Sequence, residues 1–240
     1  MPSFRKSSFF LVGGLAVVAV VAAMALTLPR LPALADQPSA ALAAPGFNPP
    51  STASSEVAVL SGGCFWGMQG VFEHVKGVTK VYAGYTGGKA DTARYELVST
   101  GQTGHAESVQ ITFDPQVISY GQILQIYFTV ATDPTELDYQ GPDSGSQYRG
   151  EIWFASPQQE QIATAYIAQL TAAKAFDEPI VTRVDPLGAF YKAEGYHQDY
   201  LVNNPDNPYI VDNDIPKVQN LAQYFPSLYL ATPVTTDSNG

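Results

Sequence analysis

The sequence predicts an α+β fold, a two-layer sandwich with a central mixed sheet and a ferredoxin-like core, and three observations lead there. Apolar runs of strand length recur at 56–60, 78–85, 105–113, 148–154 and 180–184. Stretches with helical spacing of apolar residues fall between them, so strands and helices interleave and the helices can cover one sheet face. From about 56 to 230 no repeat or change of composition interrupts the pattern, which suits one domain with a sizeable core.

Each element has its own local signal. Glu56-Val57-Ala58-Val59-Leu60 reads as a short buried strand. After a Gly-rich turn, Met68, Phe72 and Val75 continue at helical spacing, and His74 on that helix reads as solvated. The strand 78–85 ends at Gly87-Gly88, and the strand 105–113 is stopped by Asp114-Pro115. Ser119 and Gln122 form a capping-box pattern ahead of Ile123, Leu124, Ile126, Tyr127 and Val130, an amphipathic helix. Ser156-Pro157 with Gln159 starts a helix running to about 175, with proline at its first position. A strand at 180–184, a short helix and a long irregular end complete the order.

The N-terminus has a different character. Arg5 and Lys6 precede a low-polarity run over 9–28, and Ala33-Leu34-Ala35 has the small-x-small form of a signal-peptidase site. Residues 1–35 therefore read as an export signal, giving an exported and periplasmic protein. The run is also long enough to span a bilayer, so an uncleaved membrane anchor over 9–28 is the alternative. Residues 36–55, rich in Pro, Ser and Ala, read as a flexible linker, 56–230 as the domain and 231–240 as a disordered tail. All 22 acidic residues follow position 35 with 9 of the 12 basic ones, so the exported part carries a net −13. Such a charge excludes nucleic acid and anionic membrane surfaces as partners.

Cys64 is the only cysteine in the chain. It has no partner for an intramolecular disulfide and is either a buried bystander or a reactive thiol. Its place at the start of a helix, in a Gly-rich turn, favours the thiolate through unpaired backbone N–H groups and the helix dipole. In the strand 105–113, alternation turns His105 and Glu107 to the side of Val109, Ile111 and Phe113. A carboxyl at the start of an apolar face is partly desolvated and stays protonated near neutral pH; a carboxylate at a wet strand end is the other reading. Phe65 extends the Met68, Phe72, Val75 stripe and reads as core on periodicity alone, whereas Trp66 lies off it beside the cysteine. Glu194 and His197 lie at helical spacing but lack the further ligands of a metal site, so no metal and no cofactor are expected.

Five segments in order carry a resemblance. They are Gly62-Gly63-Cys64-Phe65-Trp66-Gly67, Ala83-Gly84-Tyr85-Thr86-Gly87-Gly88, Gly104-His105-Ala106-Glu107, Gly141-Pro142-Asp143 with Gly145-Ser146-Gln147-Tyr148-Arg149, and Ala193-Glu194-Gly195-Tyr196-His197-Gln198-Asp199-Tyr200-Leu201. Together, over about 56–205, they closely resemble the A-type peptide-methionine (S)-S-oxide reductases. The resemblance implies Cys64 as the nucleophile on the sulfoxide sulfur and Glu107 as the acid that protonates the oxygen. It implies Tyr95 and Tyr148 as phenols holding that oxygen, and Asp143 as a carboxylate ordering the pocket. Phe65 and Trp66 become the aromatic wall for the substrate's S-methyl group. The implied substrate is methionine S-sulfoxide, free or in oxidised proteins, and the implied intermediate a cysteine sulfenic acid.

Two departures from the family pattern stand out. Thr132 occupies a position where histidine is frequent, and no cysteine follows Cys64. Many members use a later cysteine to convert the sulfenic acid into a disulfide. Here an external thiol reductant is expected instead: a small thiol, or a thioredoxin- or glutaredoxin-like protein. The chain is expected to act as a monomer. Two other classes stay open at this point, a cysteine hydrolase or acyltransferase using His105 or His197, and a sulfoxide- or peptide-binding module with an inert thiol.

Overall fold

The computed structural model describes residues 1–2 and 40–236. The elements below belong to the unit that begins at Leu34; the expected export signal lies outside the described residues apart from its first two. Among the described residues, no helix is long and apolar enough to cross a membrane.

In chain order the elements are β1 (Glu56–Ser61), α1 (Phe65–Glu73), β2 (Val78–Thr86), α2 (Tyr95–Val98), β3 (Ala106–Phe113), α3 (Tyr120–Ile126) and β4 (Tyr139–Gln140). There follow β5 (Asp143–Ser144), β6 (Glu151–Phe154), α4 (Pro157–Ala172), β7 (Arg183–Pro186), β8 (Phe190–Lys192), α5 (Tyr200–Asn203) and α6 (Ile215–Tyr224). Six strands form one mixed sheet in the order β7-β6-β1-β3-β2-β8. Only β6 and β7 pair in parallel; β4 and β5 form a separate two-stranded ribbon. The expected α+β class with a mixed central sheet and packed helices is the architecture observed.

Register decides which side chains meet the helices. Ala58 pairs with Ile111, Leu60 with Val109, and Ala83 with Val109 from the other side. These residues pack with Phe65, Met68 and Phe72 of α1 and Ile123 and Leu124 of α3 in the main core. The opposite face buries a smaller cluster of Val59, Ala106 and Trp153, with Val57, Leu187 and Phe190 against it. The alternation in β3 therefore carries Glu107, opposite Tyr85, onto the helix-covered face.

Helix α1 is buried almost all round, Trp66 excepted. Two glycines permit this. A Cβ on Gly67 would overlap the Asp214 carboxylate, and one on Gly70 would lie 2.6 Å from Leu201 Cδ1. Elements from the C-terminal third of the chain thereby approach the helix backbone directly.

Several expectations are corrected. The linker is not free from residue 40 onward, because Gln125 Nε2 and Gln169 Nε2 donate to the Leu42 and Ala44 carbonyls and Tyr166 OH donates to Ala43. Asn48 completes the strap by bonding Ser119 and the Gly121 N–H. Composition shows only that this stretch has no apolar face of its own; its backbone is held by side chains from α3 and α4. The tail is likewise fastened as far as Thr236, whose N–H donates to Asp199 Oδ1 and whose hydroxyl donates to the Val81 carbonyl. Residues 237–240 lie outside the described residues. His74 is buried, with Nδ1 2.7 Å from the Gly70 carbonyl oxygen and its ring stacked on Tyr229. The strand expected from 148 begins at Glu151, after a 3-10 turn over Ser146–Tyr148, and the last expected strand lies three residues later, in β7. The irregular end contains α6.

One buried group makes stability depend on pH. Glu73 is wholly buried and its carboxyl finds no hydrogen-bond donor among the described residues. Burial, then the neighbouring Asp199 carboxyl, push its pKa up to about 9 from 4.5. A pKa raised by folding contributes stability that is fully present below the unfolded value and is lost as pH rises through the folded one. The protein is therefore expected to lose stability between about pH 4.5 and 9. Glu73→Gln is expected to flatten that slope, as read from urea midpoints at pH 5, 7 and 9. An identical slope in the variant would remove Glu73 as its source.

Candidate active site

The site is built where β1 ends and α1 begins. Gly63 has φ +94°, a left-handed conformation, and a Cβ there would lie 2.8 Å from Gln140 Cβ, so only glycine turns the chain at this point. That turn places Cys64 at the N-cap of α1. The adjacent N–H, that of Phe65, donates to Glu107 Oε2 at 3.0 Å. The first turn of the helix and the start of β3 are thus joined by a single bond beside the sulfur.

A cavity of about 220 Å³ opens there, lined by Cys64, Phe65, Trp66, Tyr95, Glu107, Asp143, Tyr148 and Tyr209. A larger one of about 480 Å³ lies between the N-terminal strap, α3 and α4, and its lining holds no cysteine or histidine. All seven residues anticipated from the sequence converge in the smaller cavity. Several are held by a partner. Glu194 accepts from the Tyr95 N–H at 3.0 Å and from Tyr85 OH at 2.8 Å, fixing the start of α2 and hence Tyr95. The Tyr148 carbonyl accepts from Gly63 N–H at 3.1 Å, so this tyrosine shares the cysteine's turn. Arg149 braces the same segment through Glu151 and the Ser146 and Gly104 carbonyls. Tyr209 OH donates to Asp143 Oδ2. Trp66 stacks on Tyr200 at 3.9 Å and 11°, meets Tyr209 edge-on, and donates from Nε1 to His197 Nδ1 at 3.1 Å.

Tyr200 and Tyr209 were not anticipated as site residues, and Glu194 and His197, weighed from the sequence only as a metal pair and His197 as a hydrolase base, serve here as supports of Tyr95 and Trp66. Glu194, His197 and Tyr200 lie inside a quoted motif, but Tyr209 falls in a stretch with no periodic signal and is one of 14 tyrosines. Thr132 is buried under the turn, where a Cβ on Gly62 would lie 2.7 Å from its Oγ1.

The electrostatics correct one expectation and support another. Burial, then the charges of Glu107 and Asp214, push the Cys64 thiol well up, against the lowering bond from Trp66 N–H. The helix start favours a thiolate, but here desolvation and converging carboxyl groups outweigh it, so the sulfur is a thiol at neutral pH. Glu107 is buried and its pKa is raised to about 8, chiefly by desolvation, so it is a neutral acid at pH 7. Burial also raises Tyr95 and Tyr148, which remain phenols able to donate. His197 is lowered by burial and is neutral.

No imidazole serves the sulfur among the described residues. His105 uses both ring nitrogens on the Gly88–Lys89 backbone, and His197 accepts from the Trp66 indole N–H at Nδ1, while its Nε2 has no hydrogen-bond partner among the described residues. That removes the bond a cysteine hydrolase needs. A sulfur flanked by one neutral acid and two neutral phenols, with an aromatic wall beside it, instead fits an acceptor whose oxygen must be protonated as its central atom is attacked.

Such a fold and site define a thiol-dependent oxidoreductase. The model of the peptide methionine sulfoxide reductase family matches residues 56–227, and the chain belongs to that family as a peptide-methionine (S)-S-oxide reductase. It is 59% identical over 180 residues to peptide methionine sulfoxide reductase MsrA 2 of Mesorhizobium japonicum, covering 75% of this chain and 92% of the relative. It is 48% identical to MsrA 2 of Synechocystis, covering 75% and 85%. Among solved structures, it resembles reduced Mxr1 from Saccharomyces cerevisiae, with TM-score 0.58 and 28% identity over 68% of this chain and 92% of that one. Methionine sulfoxide reductase A of Corynebacterium diphtheriae matches with TM-score 0.56 and 33% identity over 65% and 78%.

The Tyr209–Asp143 bond gives a test of pocket order. Tyr209→Phe keeps the ring against Trp66 and removes the hydroxyl. It is expected to raise KM for methionine sulfoxide several-fold, about the worth of one ordinary hydrogen bond, with less effect on kcat. An unchanged KM would show that the hydroxyl orders nothing the substrate meets.

Proposed function

We propose that the chain reduces methionine S-sulfoxide, free or in polypeptides, through a Cys64 sulfenic acid. The observation that carries this reading is the Glu107 carboxyl, neutral at pH 7 and bonded to the N–H of the residue next to Cys64. A sulfoxide sulfur is attacked only as its oxygen becomes a competent leaving group. Glu107 delivers its proton to that oxygen while the Cys64 sulfur bonds the substrate sulfur. The substrate S–O bond breaks, oxygen passes to Cys64 and methionine leaves as the thioether. The thiol proton restores Glu107, so thiol plus sulfoxide gives sulfenic acid plus thioether with no proton gained or lost. Tyr95 and Tyr148 donate to the same oxygen, Asp143 orders the pocket, and Phe65 and Trp66 receive the methyl group.

Because Cys64 is the only cysteine, the sulfenic acid has no partner in its own chain. An external thiol condenses with it, releasing water, and a second thiol resolves the mixed disulfide to regenerate Cys64. A small thiol or a thioredoxin- or glutaredoxin-like protein supplies these electrons. The N-terminal signal puts the reaction in an exported, periplasmic compartment, where it repairs oxidised methionine in a monomeric enzyme.

Four measurements test this reading. Cys64→Ser is expected to abolish turnover with an unchanged circular dichroism spectrum. Glu107→Gln is expected to lower the rate by about 10²–10⁴-fold and to remove a fall in wild-type activity as pH rises through about 8. Activity in folded Cys64→Ser would overturn the nucleophile, and an unaltered rate in Glu107→Gln the acid. Rapid quench without reductant is expected to give one methionine per site and a single added oxygen on Cys64; two methionines per site would refute the sulfenic acid reading. N-terminal sequencing of the exported protein is expected to begin at Asp36, whereas a start at Met1 or Pro2 in a membrane fraction would establish the anchored form.

A further inference from the structure

Asp214 closes the π-helical turn Ile210–Asp214, immediately before α6. Its residue is wholly buried, and neither carboxylate oxygen has a hydrogen-bond partner among the described residues. Lys217 Nζ, at 3.9 Å, is its counter-charge. The carboxylate lies against Gly67 in the first turn of α1, three residues beyond Cys64, where a side chain on that glycine would displace it. It does not line the cavity and so does not touch substrate. A buried carboxylate without a hydrogen bond has a cost in stability that one counter-charge at this distance offsets only in part. The sequence nonetheless leaves glycine at 67 to receive it.

We propose that Asp214 is a positioning residue of this active site: from behind the first turn of α1 it acts on Cys64 and keeps the sulfur protonated in the free enzyme. The other groups facing the sulfur are Glu107 from β3, Asp143 from the β4–β5 ribbon, and the phenols Tyr95, Tyr148 and Tyr209. Glu107 is neutral near pH 7, with its pKa raised to about 8, whereas Asp214 is raised only to about 6, Lys217 opposing the rise. Asp214 is therefore largely ionised at neutral pH while Glu107 is not. Its field opposes a second negative charge on Cys64, and Glu107's proton is retained under the same field. The consequence is a sulfur that reacts slowly with oxidants and alkylating agents at neutral pH, since the thiolate is the reactive form.

The inference rests on Cys64 being the reacting sulfur, and alkylation reads that sulfur without turnover, so an error in the reaction sequence and an error about Asp214 give different results. The experiment is the pH dependence of iodoacetamide alkylation of Cys64, followed by intact mass, in the wild type and in Asp214→Asn. The variant is expected to shift the profile to lower pH and to alkylate about tenfold faster at pH 7.5, the effect of one unit charge about a helical turn away. A coincident profile in folded Asp214→Asn would overturn the proposal. The same shift is expected in a Glu107→Gln background; its disappearance there would assign the effect to Glu107 and also overturn direct action on sulfur. Asp214→Leu, an apolar replacement that also removes the charge, supplies the arm that survives if Asp214→Asn fails to fold. It is expected to move the profile to lower pH as Asp214→Asn does, and an unmoved profile would contradict the proposal.

Discussion

The bond from Phe65 N–H to Glu107 joins two elements 42 residues apart in the chain, and the site depends on it. A helix start leaves N–H groups without intrahelical partners, and one of them is satisfied here by a carboxyl from the central strand. The bond fixes the acid beside the sulfur with no intervening loop. Its lowering effect on Glu107 is smaller than the raising effect of burial, so the carboxyl remains an acid while it is held. Sheet register supports the arrangement: β3 pairs with both β1 and β2, so the strand that presents Glu107 is held on both edges.

Around that bond the chain assembles a pocket without a cationic side chain in its lining. Charge is handled by protonation and by distance. Glu107 and the phenols are kept neutral by burial, Asp143 is engaged by Tyr209, and Lys217 stands outside next to Asp214. Aromatic contacts give the pocket its shape: Trp66 is clamped between the Tyr200 face and the Tyr209 edge, with its indole N–H committed to His197. A rigid wall of this kind suits a small apolar substituent on a polar centre.

What was legible in the sequence was what is contiguous in it. The Gly62–Gly67 turn, the Glu107–Phe113 alternation and the Ser119–Gln122 capping box each state their geometry within a few residues, and each stands in the structure as read, although the strand begins at Ala106 and leaves His105 outside it. The protonation state of Cys64 did not, because the helix start is local whereas Glu107, Asp143 and Asp214 reach it from three distant segments. Tyr209 and Asp214 were silent for the same reason: nothing near them in the chain reports that α1 is one helix away. The strap over 40–51 misled in the opposite sense. Its lack of periodicity was real, but glutamines and a tyrosine on other elements supply the bonds that hold it.

Gly67 and Gly70 give α1 an unusual engineering character. Replacing glycine by alanine inside a helix ordinarily stabilises it by up to about 1 kcal/mol. Here the two flexible positions are docking notches, one for the Asp214 carboxylate and one for Leu201. A thermostabilisation campaign guided by helix propensity alone would choose both positions early. It would strengthen the isolated helix and push away the C-terminal segments that close the protein around it, so the helix most tempting to improve is the one that tolerates improvement least.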